Sequence, residues 1–536
     1  MELYERIFEL ALNRSFFLPS NEPYGATGGF YDYGPVGKLM KNKIENAWRQ
    51  MFIRDEGFLE VETSIITPEP ILQASGHAAN FADPVVECRV CKTRMRGDTL
   101  IEEKMKEKGG EMHGAKWDGK LESIDQIVIE NGIICPKCKG ELGHATMFNL
   151  MFKTGIGGEQ TTAFARPETA QGIFTAFQRI FRNHGAKLPL AVAQVGKSFR
   201  NEISPRKGLV RMREFTQMEL EYFFNPASSG FEDFDKIKDA KLMMRIADKP
   251  EQMTAQMLVE KKFAANQIMA YFLVRQWDYY KKVGVDEKRM HLRVLDSQEI
   301  PHYSKGNIDM EVDTSFGMIE TIGNAYRTDF DLTQHSKHSG SDFSVFIESE
   351  KKKVMPHIFE LSMGVDRLFY CILEHCFREK DATKTGTTGN DESFPVPHER
   401  NIVHEDPKPE TQLDPEHKTQ DAKDWEWFDF PPVIAPYPVA VFPLMKKDGL
   451  SEKAQGVCQM LRTEFDVLYQ ESGSIGKRYA RADEIGCPYA LTIDYDSLKD
   501  NTMTIRYRND GKQERIKIEE CVGRIKQNIE KGRVTL

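Results

Sequence analysis

Arginine and glutamate side chains suited to holding a phosphate and an ammonium group side by side occur together in residues 199–223. Arg200 and Arg211 lie in this stretch, and Arg367 falls in the first turn of a later predicted helix, where the helix dipole favours an anion. Planar guanidinium groups match phosphate oxygens and stabilise a transferring phosphoryl group by several kcal/mol. These arginines therefore indicate phosphate chemistry, although a surface ion pair within its own helix would also explain Arg367.

The same stretch predicts an antiparallel β-hairpin with one apolar and one charged face. Pro205 and Gly208 are turn residues, and successive strand residues face opposite ways. Arg200 and Glu202 share a face. Solvated cross-strand ion pairs explain the pattern as well, so both interpretations stay open here. Alternation places Val210, Met212, Thr216, Met218, Leu220 and Tyr222 on one face, and Arg211, Arg213, Gln217, Glu219 and Glu221 on the other.

Two CxxC pairs, Cys88 with Cys91 and Cys135 with Cys138, have the spacing of zinc knuckles. Together they can supply a tetrahedral Cys₄ site, and free thiols at chance spacing are the alternative. A redox pair is disfavoured because neither CxxC opens a helix in a βαβ pattern. The remaining cysteines are predicted to be core residues: Cys371, Cys376, Cys458, Cys487 and Cys521.

Length and charge limit the number of domains and the kinds of partner that the chain can have. With 536 residues, two to four domains are expected. The net charge of −9 argues against indiscriminate nucleic-acid binding, although residues 437–536 carry 17 Lys and Arg against 15 Asp and Glu. The N-terminus predicts an amphipathic helix and not a signal peptide, and no apolar run has the length of a membrane span, so a cytoplasmic protein without membrane contact is expected.

Several predicted elements must position these groups. A helix over 36–52 is followed by a strand that Pro68 ends. A second helix is predicted over 166–181, with Pro167 near its first position. Residues 357–376 predict a strand, a turn at Gly364 and a helix. The C-terminal hundred residues alternate strands and helices, which is typical of a compact α/β domain.

Three of these segments resemble the signatures of class II aminoacyl-tRNA synthetases. FRNE…VRMREF resembles the second signature, GVDR at 364–367 the third, and the 36–52 helix with its strand the first, which forms dimers in that family. The homodimeric glycyl-tRNA synthetases are the closer resemblance. It rests on FFLPSNEPYGATGGFYDYGPVG (16–37), ASGHAANFADP (74–84), RPETAQGIF (166–174), SFRNEISPR (198–206), REFTQMELEYF (213–223) and GKRYARADEIGCPYA (476–490).

The resemblance implies a mixed α/β (α+β) fold: an antiparallel-sheet catalytic core with inserted zinc-knuckle and helical regions, and a C-terminal α/β anticodon-binding domain. The implied catalytic core comprises 1–83 (first signature), 146–226 (second) and 301–377 (third). Between and after these parts, composition and spacing predict a Cys₄ insertion at 84–145, a mostly helical insertion at 227–300 and a polar excursion at 378–430 that is longer than expected for the family. The anticodon-binding domain is implied at 431–536.

The resemblance also implies a reaction: glycine and ATP form glycyl-adenylate, and the glycyl group passes to the 3′ end of tRNA(Gly). Implied catalytic residues are Arg200 at the α-phosphate and Arg367 at the γ-phosphate. Glu320, beside Thr321, would hold Mg²⁺, and a structural Zn²⁺ would fill the cysteine knuckles. The implied assembly is a homodimer.

The family's binding positions transfer as two sets. The implied ATP set is Arg200, Asn201, Glu202, Val210, Arg211, Met212, Arg213, Glu214, Phe215, Glu320, Thr321, Gly364, Val365, Asp366 and Arg367. The implied glycine set is Arg96, Glu168, Phe215, Thr216, Gln217, Met218, Glu219, Arg327, Glu360, Leu361 and Ser362. Leu361 departs from the proline common in the family. A class II synthetase for threonine, proline or histidine and an inactive tRNA-binding paralogue are the alternatives.

Overall fold

The computed structural model describes residues 1–107, 120–157, 161–205, 207–228, 230–296, 299–301, 303–380, 425–532 and 534. It contains two compact units. One comprises Met1–Ala82, Asn149–Phe377 and Trp427–Leu536, and the other Asp83–Phe148 and Arg378–Glu426. Most of the predicted polar excursion, 381–424, lies outside the described residues. Within the described ranges, no helix combines the length and hydropathy needed to cross a bilayer.

The helices follow the apolar stripes of the sequence. In chain order they are α1 (Leu3–Asn13), α2 (Pro35–Arg49), α3 (Glu69–Ala74), α4 (His77–Asn80), α5 (Gly97–Glu107), α6 (Leu121–Glu130), α7 (Ala170–Asn183), α8 (Phe234–Ile237), α9 (Ala255–Glu260), α10 (Gln267–Lys282), α11 (Phe330–Ser339), α12 (Val365–Cys376), α13 (Leu450–Leu461), α14 (Ile475–Glu484), α15 (Tyr495–Asp500) and α16 (Cys521–Glu530). A π-helical turn, Gln50–Arg54, extends α2, and 3₁₀ turns cover Glu22–Tyr24, Gly208–Val210, Glu287–Arg289 and Ile518–Glu520.

The strands are short except in the central sheet. In chain order they are β1 (Phe17–Pro19), β2 (Tyr31–Tyr33), β3 (Leu59–Glu60), β4 (Ile66–Pro68), β5 (Ala82–Glu87), β6 (Arg94–Arg96), β7 (Thr146–Asn149), β8 (Phe152–Ile156), β9 (Thr161–Ala165), β10 (Leu190–Phe199), β11 (Glu214–Phe224), β12 (Lys241–Ile246), β13 (Lys249–Thr254), β14 (Met290–Val294), β15 (Asn307–Thr314), β16 (Gly317–Thr328), β17 (Val345–Ile347), β18 (Lys352–Val354), β19 (His357–Gly364), β20 (Phe377–Lys380), β21 (Trp425–Phe428), β22 (Val439–Pro443), β23 (Val467–Tyr469), β24 (Tyr489–Ile493), β25 (Thr502–Tyr507) and β26 (Gln513–Lys517).

The central sheet has the order β13-β12-β14-β15-β16-β19-β11-β10-β3 and is antiparallel except at two of its pairings. The predicted hairpin is β10 and β11, and β19 lies on the other side of β11. The register between β11 and β19 places Glu219 opposite Ser362, and Glu221 opposite Glu360. Cross-strand partners share a face, so these four polar side chains form one surface of the sheet.

Both faces of β11 are buried. Met218 and Leu220 are fully buried in the main core on one face, while Glu219 and Glu221 on the other are 1% and 0% exposed. The solvated-face interpretation of the hairpin is therefore wrong. The polar face is buried because β11 lies inside the sheet between β10 and β19. Alternation within a single segment does not reveal which strands will flank it.

Some predicted boundaries shift. β10 ends before Arg200, and β11 begins at Glu214, so Arg200, Glu202 and Val210 lie in the connecting loop and not in the strands. Arg213 holds this loop by donating to the carbonyl oxygens of Glu202 (2.8 and 3.0 Å) and Gly28 (2.7 Å). The loop conformation thus depends on a residue nearly 200 positions earlier.

Two further elements differ from expectation. Helix α7 begins at Ala170, so Pro167 precedes the helix instead of occupying its first turn. Residues 227–300 contain α9 and α10 but also contribute β12, β13 and β14 to the central sheet. The lysine, methionine and alanine content of this region favours helix, and pairing at the edge of the sheet overrides that preference.

The C-terminal domain contains the sheet β23-β22-β24-β25-β26 with α13 and α16, which confirms the predicted α/β domain. The domain and the segment that leads into it contact the N-terminal segment of the same unit. Arg14 binds Glu484 of the domain, and Phe16 packs edge-on against Phe428 and Phe430 of the leading segment, with ring centroids 5.3 and 5.9 Å away. The five cysteines predicted to be structural are all buried.

Candidate active site

A cavity of about 520 Å³ opens on the polar face of the central sheet. Its floor comes from β11, β15, β16 and β19, and the loop between β10 and β11 contributes one wall. From the predicted ATP set it is lined by Arg200, Glu202, Val210, Arg211, Met212, Phe215, Glu320, Thr321, Gly364, Asp366 and Arg367. From the predicted glycine set it is lined by Glu168, Phe215, Gln217, Glu219, Glu360 and Ser362.

Arg200 is held between two aromatic rings at one end of the cavity. Its guanidinium carbon lies 5.4 Å from the ring centroid of Phe81 and 5.2 Å from that of Phe215. Its Nε donates to the carbonyl oxygen of Pro167 at 3.3 Å. Stacking restricts the rotamers of this long side chain and leaves a positive charge at the cavity wall.

Arg367 occupies the first turn of α12, as predicted. It donates to the carbonyl oxygens of Val210 (3.1 Å) and Glu320 (2.7 Å). Its carboxylate neighbour is that of Glu320, at 3.8 Å, whereas Glu374 on the same helix binds Arg289. The interpretation of Arg367 as one half of a surface pair on its own helix is therefore wrong.

Carboxylates crowd the opposite part of the cavity. Glu219 accepts hydrogen bonds from Ser362 (2.7 Å), Gln217 (2.8 Å) and Thr169. Burial and then the charge of Glu168 raise the pKa of Glu219. The residue offers a negative charge that a ligand cation would stabilise.

Glu168 lies beside His77, with Oε2 and Nε2 3.4 Å apart, and accepts from Gln171 at 2.9 Å. Burial raises the pKa of Glu168, but His77, Arg327 and Gln171 together outweigh burial and hold that pKa well below its ordinary value. Two glutamates of one pocket therefore differ in environment: Glu168 is kept ionised, and Glu219 is pushed toward protonation.

Arg327 lies beneath this carboxylate group and is 1% exposed. It donates to both oxygens of Asp331 (2.7 and 2.9 Å) and to Glu360 (2.8 Å). The ring of Tyr303 covers its guanidinium at 3.9 Å. Burial is the largest influence on Glu360 and raises its pKa to about 8, despite the neighbouring Arg327.

Asp309 and Glu320 line the cavity near Arg367. Asp309 is 9% exposed, and burial, followed by the charges of Glu320 and Glu311, raises its pKa to about 8. Two hard oxygen donors whose mutual repulsion a cation would relieve suit Mg²⁺. The predicted neighbour Thr321 instead directs its hydroxyl to the carbonyl oxygen of Met310, at 3.1 Å.

Residues 157–376 match the tRNA synthetase class II core domain (G, H, P, S and T), and residues 438–528 match the anticodon binding domain. The glycine--tRNA ligase of Methanocaldococcus jannaschii is 35% identical to this chain, over 98% of it and 99% of the relative. That of Pyrococcus horikoshii is 39% identical over 98% of both chains. The chain belongs to the glycine--tRNA ligases.

A prolyl-tRNA synthetase from Cryptosporidium parvum, solved with halofuginone and AMPPNP, aligns with a TM-score of 0.55. The alignment covers 99% of this chain and 78% of that structure at 11% identity. At this identity the similarity extends to the fold alone. It agrees with the expected class II core and C-terminal domain.

Other residues carried over to this glycine--tRNA ligase from its family do not line the cavity. Met218 and Leu361 are fully buried in the main core on the opposite face of the sheet. Thr216 uses its backbone N–H to donate to Asp366 at 2.6 Å. Arg96 belongs to the second unit, where it pairs with Asp83 and Asp98. Asn201, Arg213, Glu214, Arg327 and Val365 also do not appear among the lining residues that the structure describes.

The lining residues that sequence reasoning missed include His77, Phe81, Tyr303 and Asp309. The motif ASGHAANFADP contains two of them, so its resemblance to the family was the available signal. Asp309 lies on β15 across from Gly323 of β16, and only the sheet register brings it near Glu320. Tyr303 carries no local pattern that distinguishes it.

The second unit holds the cysteine knuckles. The sulfurs of Cys88, Cys91, Cys135 and Cys138 all lie within 4.8 Å of one another, with 3.4 Å between Cys88 and Cys138 and 3.7 Å between Cys91 and Cys135. A tetrahedral zinc site with bonds of about 2.3 Å places its sulfurs roughly 3.8 Å apart. The donor set therefore fits Zn²⁺.

Both knuckles have the same backbone geometry. In each, the residue after the second cysteine is left-handed (Lys92, φ 59°; Lys139, φ 60°), and its N–H donates to the carbonyl oxygen of the first cysteine. Matching turns aim two pairs of sulfurs at one point. This repeated geometry favours a metal site over thiols at chance spacing.

Proposed function

We propose that the cavity binds ATP and glycine side by side, forms glycyl-adenylate, and transfers the glycyl group to tRNA. The observation that carries this proposal is one cavity whose lining combines Glu219, Ser362 and Phe215 of the sheet with Arg200 of the loop between β10 and β11. A carboxylate set can hold an ammonium group, while the arginines face a polyphosphate. The family membership of the chain supports the same reaction.

The proposed roles follow the geometry. Arg200 contacts the α-phosphate, Phe215 stacks on the adenine, and Arg367 holds the γ-phosphate. Glu202, which faces Arg211 at 3.5 Å, is placed near the adenine amino group. Arginines fixed by rings and carbonyl oxygens before substrate arrives require little reorganisation, which favours charge stabilisation in the transition state.

The chemistry requires no nucleophilic side chain. A carboxylate oxygen of glycine attacks the α-phosphorus, an O–P bond forms, and the bond to pyrophosphate breaks with its electron pair leaving on pyrophosphate. A terminal ribose hydroxyl of tRNA then attacks the acyl carbon and loses its proton, and AMP departs. The chain contributes alignment, charge and exclusion of water.

Glycine selectivity would come from lack of space. Glu168, Glu219 and Ser362 would enclose the ammonium position, with Ser362 bonded to Glu219 at 2.7 Å and His77 beside Glu168 at 3.4 Å. A pocket gains no affinity from an absent side chain, so it must exclude larger amino acids by steric contact. Fixed carboxylates serve both purposes because they bind the cation and fill volume.

Two metals complete the proposal. Asp309 and Glu320 would hold Mg²⁺, which when bound neutralises phosphate charge. The four cysteines would hold a structural Zn²⁺ that stabilises the second unit.

We also propose a homodimer formed through the first-signature segment around α2, and a cytoplasmic location. Size-exclusion chromatography with light scattering would test the dimer.

Amino-acid-dependent ATP–pyrophosphate exchange tests the function, with glycine compared with alanine, serine, proline and threonine. Exchange with glycine alone is the expected result. Exchange with another amino acid would overturn the pocket assignment of Glu168, Glu219 and Ser362. Absence of exchange with every amino acid, in folded protein, would favour an inactive tRNA-binding paralogue.

A further inference from the structure

Glu221 is a buried acid without an evident structural purpose. It is 0% exposed, and among the residues that the structure describes neither of its carboxylate oxygens has a hydrogen-bond partner. Its register partner across β11 and β19 is Glu360, which lines the cavity. The next pair along the sheet, Phe223 and Ile358, packs in the apolar cluster under α7. Glu221 therefore lies directly behind the pocket.

The groups around this pair carry more negative than positive charge. Besides Glu221, the carboxyls come from β11 (Glu219), β19 (Glu360), α11 (Asp331) and the segment before α7 (Glu168). The cations and other titratable groups come from β16 (Arg327), α4 (His77), α11 (His335) and the loop carrying Tyr303. Burial lowers the pKa of His335, which bonds neutral to Gln171, so His335 supplies no compensating charge.

Two permanent cations face these five carboxyls, Arg327 and, beside Glu219 just after β9, Arg166. The carboxyls outnumber them and cannot all remain ionised in a low-dielectric site. Burial and then the charge of Glu360 raise the pKa of Glu221 well above its ordinary value, and burial raises that of Glu360 to about 8. The two acids interact strongly enough to titrate as a pair. The shared burial of the two facing carboxyls therefore favours one protonated carboxyl in the pair.

We propose that the Glu221–Glu360 pair holds a proton in the empty pocket and releases it when the ammonium group of glycine enters, so that glycine binding is coupled to proton release. This inference rests on the proposed function. The O–H bond of the paired carboxyl breaks, its proton passes through the cavity to water, and the remaining carboxylate is balanced by the ammonium, which stays protonated. Glu221 acts through Glu360 and is a positioning residue.

Titration calorimetry with glycine, in buffers of different ionisation enthalpy at pH 7, counts the released protons. The slope of the observed binding enthalpy against the ionisation enthalpy of the buffer should correspond to the release of nearly one proton per site. The affinity for glycine should rise up to about tenfold per pH unit between roughly pH 6 and 8. Glycine binding with no dependence on buffer overturns the inference but leaves the proposed function intact. Absence of any binding contradicts the proposed function itself.

Glu221→Gln separates this role from simple packing. The glutamine amide can donate to Glu360 and keep that carboxylate ionised, so proton release should fall to near zero and the glycine affinity should become nearly independent of pH. Glu56→Gln, an acid-to-amide change outside the cavity, where the carboxylate accepts from the Tyr271 hydroxyl at 2.7 Å, is the matched control and should retain the release. Folding of both variants is checked by circular dichroism.

Retention of the wild-type proton count by folded Glu221→Gln protein would overturn the assignment of Glu221. If Glu221→Gln folds poorly, the buffer dependence of glycine binding to the wild-type protein still tests whether binding releases a proton. The pH profile of the glycine KM in pyrophosphate exchange provides an independent readout, because a packing defect would shift the KM without changing its slope against pH.

Discussion

Arg200 faces Phe215 across the mouth of the cavity, with 5.2 Å between the guanidinium carbon and the ring centroid. The ring of Phe81 flanks the same guanidinium at 5.4 Å, and the Pro167 carbonyl fixes its Nε. One arginine is thus restrained by three separate segments of the chain before any ligand binds. Such restraint is what electrostatic preorganisation requires.

Replacing Arg200 with lysine keeps the charge but removes the planar fork and the stacking. We expect pyrophosphate exchange to fall by about 10²- to 10³-fold, and Arg200→Ala to fall at least as far, because a preorganised donor is lost. The measurement is kcat/KM for ATP in the exchange assay. Arg179→Ala, on the exposed side of α7, is the control and should behave as wild type. Near-normal exchange in Arg200→Ala would exclude the proposed role.

Ser362→Ala tests the ammonium pocket. Ser362 donates to Glu219 at 2.7 Å, and a hydrogen bond to a charged group contributes about 1.5–3 kcal/mol. We therefore expect the KM for glycine to rise by roughly ten- to a hundredfold, with a smaller effect on the KM for ATP. Ser336→Ala, outside the cavity on α11, is the matched control. An unchanged glycine KM would contradict the placement of Glu219 at the ammonium group.

Metal analysis tests the cysteine site. We expect about one zinc per chain in freshly purified protein, lost in the Cys88→Ser/Cys135→Ser double variant, because each substitution removes a thiolate from a different knuckle. Cys458→Ser, in the C-terminal core, should keep its zinc. Wild-type protein without zinc, prepared without chelators, would refute the site.

His375 predicts an acid-sensitive step in stability. Its Nδ1 accepts from the Asp286 N–H at 3.0 Å, and its Nε2 donates to the Asp313 carbonyl at 2.9 Å. Burial, with Arg289, lowers its pKa from 6.5 to about 4. The folded state therefore binds fewer protons, and the contribution of His375 is present above pH 6.5 and lost as the pH falls toward 4.

The loss should approach about 3 kcal/mol. We expect His375→Gln to flatten the decline of the thermal unfolding midpoint between pH 6.5 and 4, whatever its stability at pH 7. His184→Gln, at the end of α7, should leave the decline unchanged. Parallel pH profiles for wild type and His375→Gln would show that this histidine does not control the acid sensitivity.

Much of the site followed from alternation and motif resemblance. Gln217, Glu219 and Glu221 do share a face, and Arg367 does open a helix. The same alternation, applied more strictly, already argues against Met218 and Leu361 as pocket residues, since each neighbours a residue that faces the cavity. The burial of the polar face could not be predicted, because it depends on β19, a strand about 140 residues away.

The other residues and strands that the sequence did not predict depend on tertiary contacts. Asp309 reaches the cavity only through the register of β15 with β16, so no local spacing marks it. The strands β12 to β14 form against intrinsic preference because an existing sheet edge pairs with them. The domain bounds drawn from composition remain predictions. The first segment of the second unit, Asp83–Phe148, lies close to the insertion expected at 84–145.

The contact of Arg14 with the C-terminal domain has a consequence for how the protein is made. Glu484 leaves the ribosome 470 residues after Arg14, which at ordinary translation speeds is a delay of roughly 20 to 90 s. During that interval the first helix can already pack on α12, through Phe8 and Tyr370, but Arg14 has no C-terminal partner. The attachment of the N-terminal segment to the C-terminal domain is thus among the last contacts that a newly synthesised chain can form.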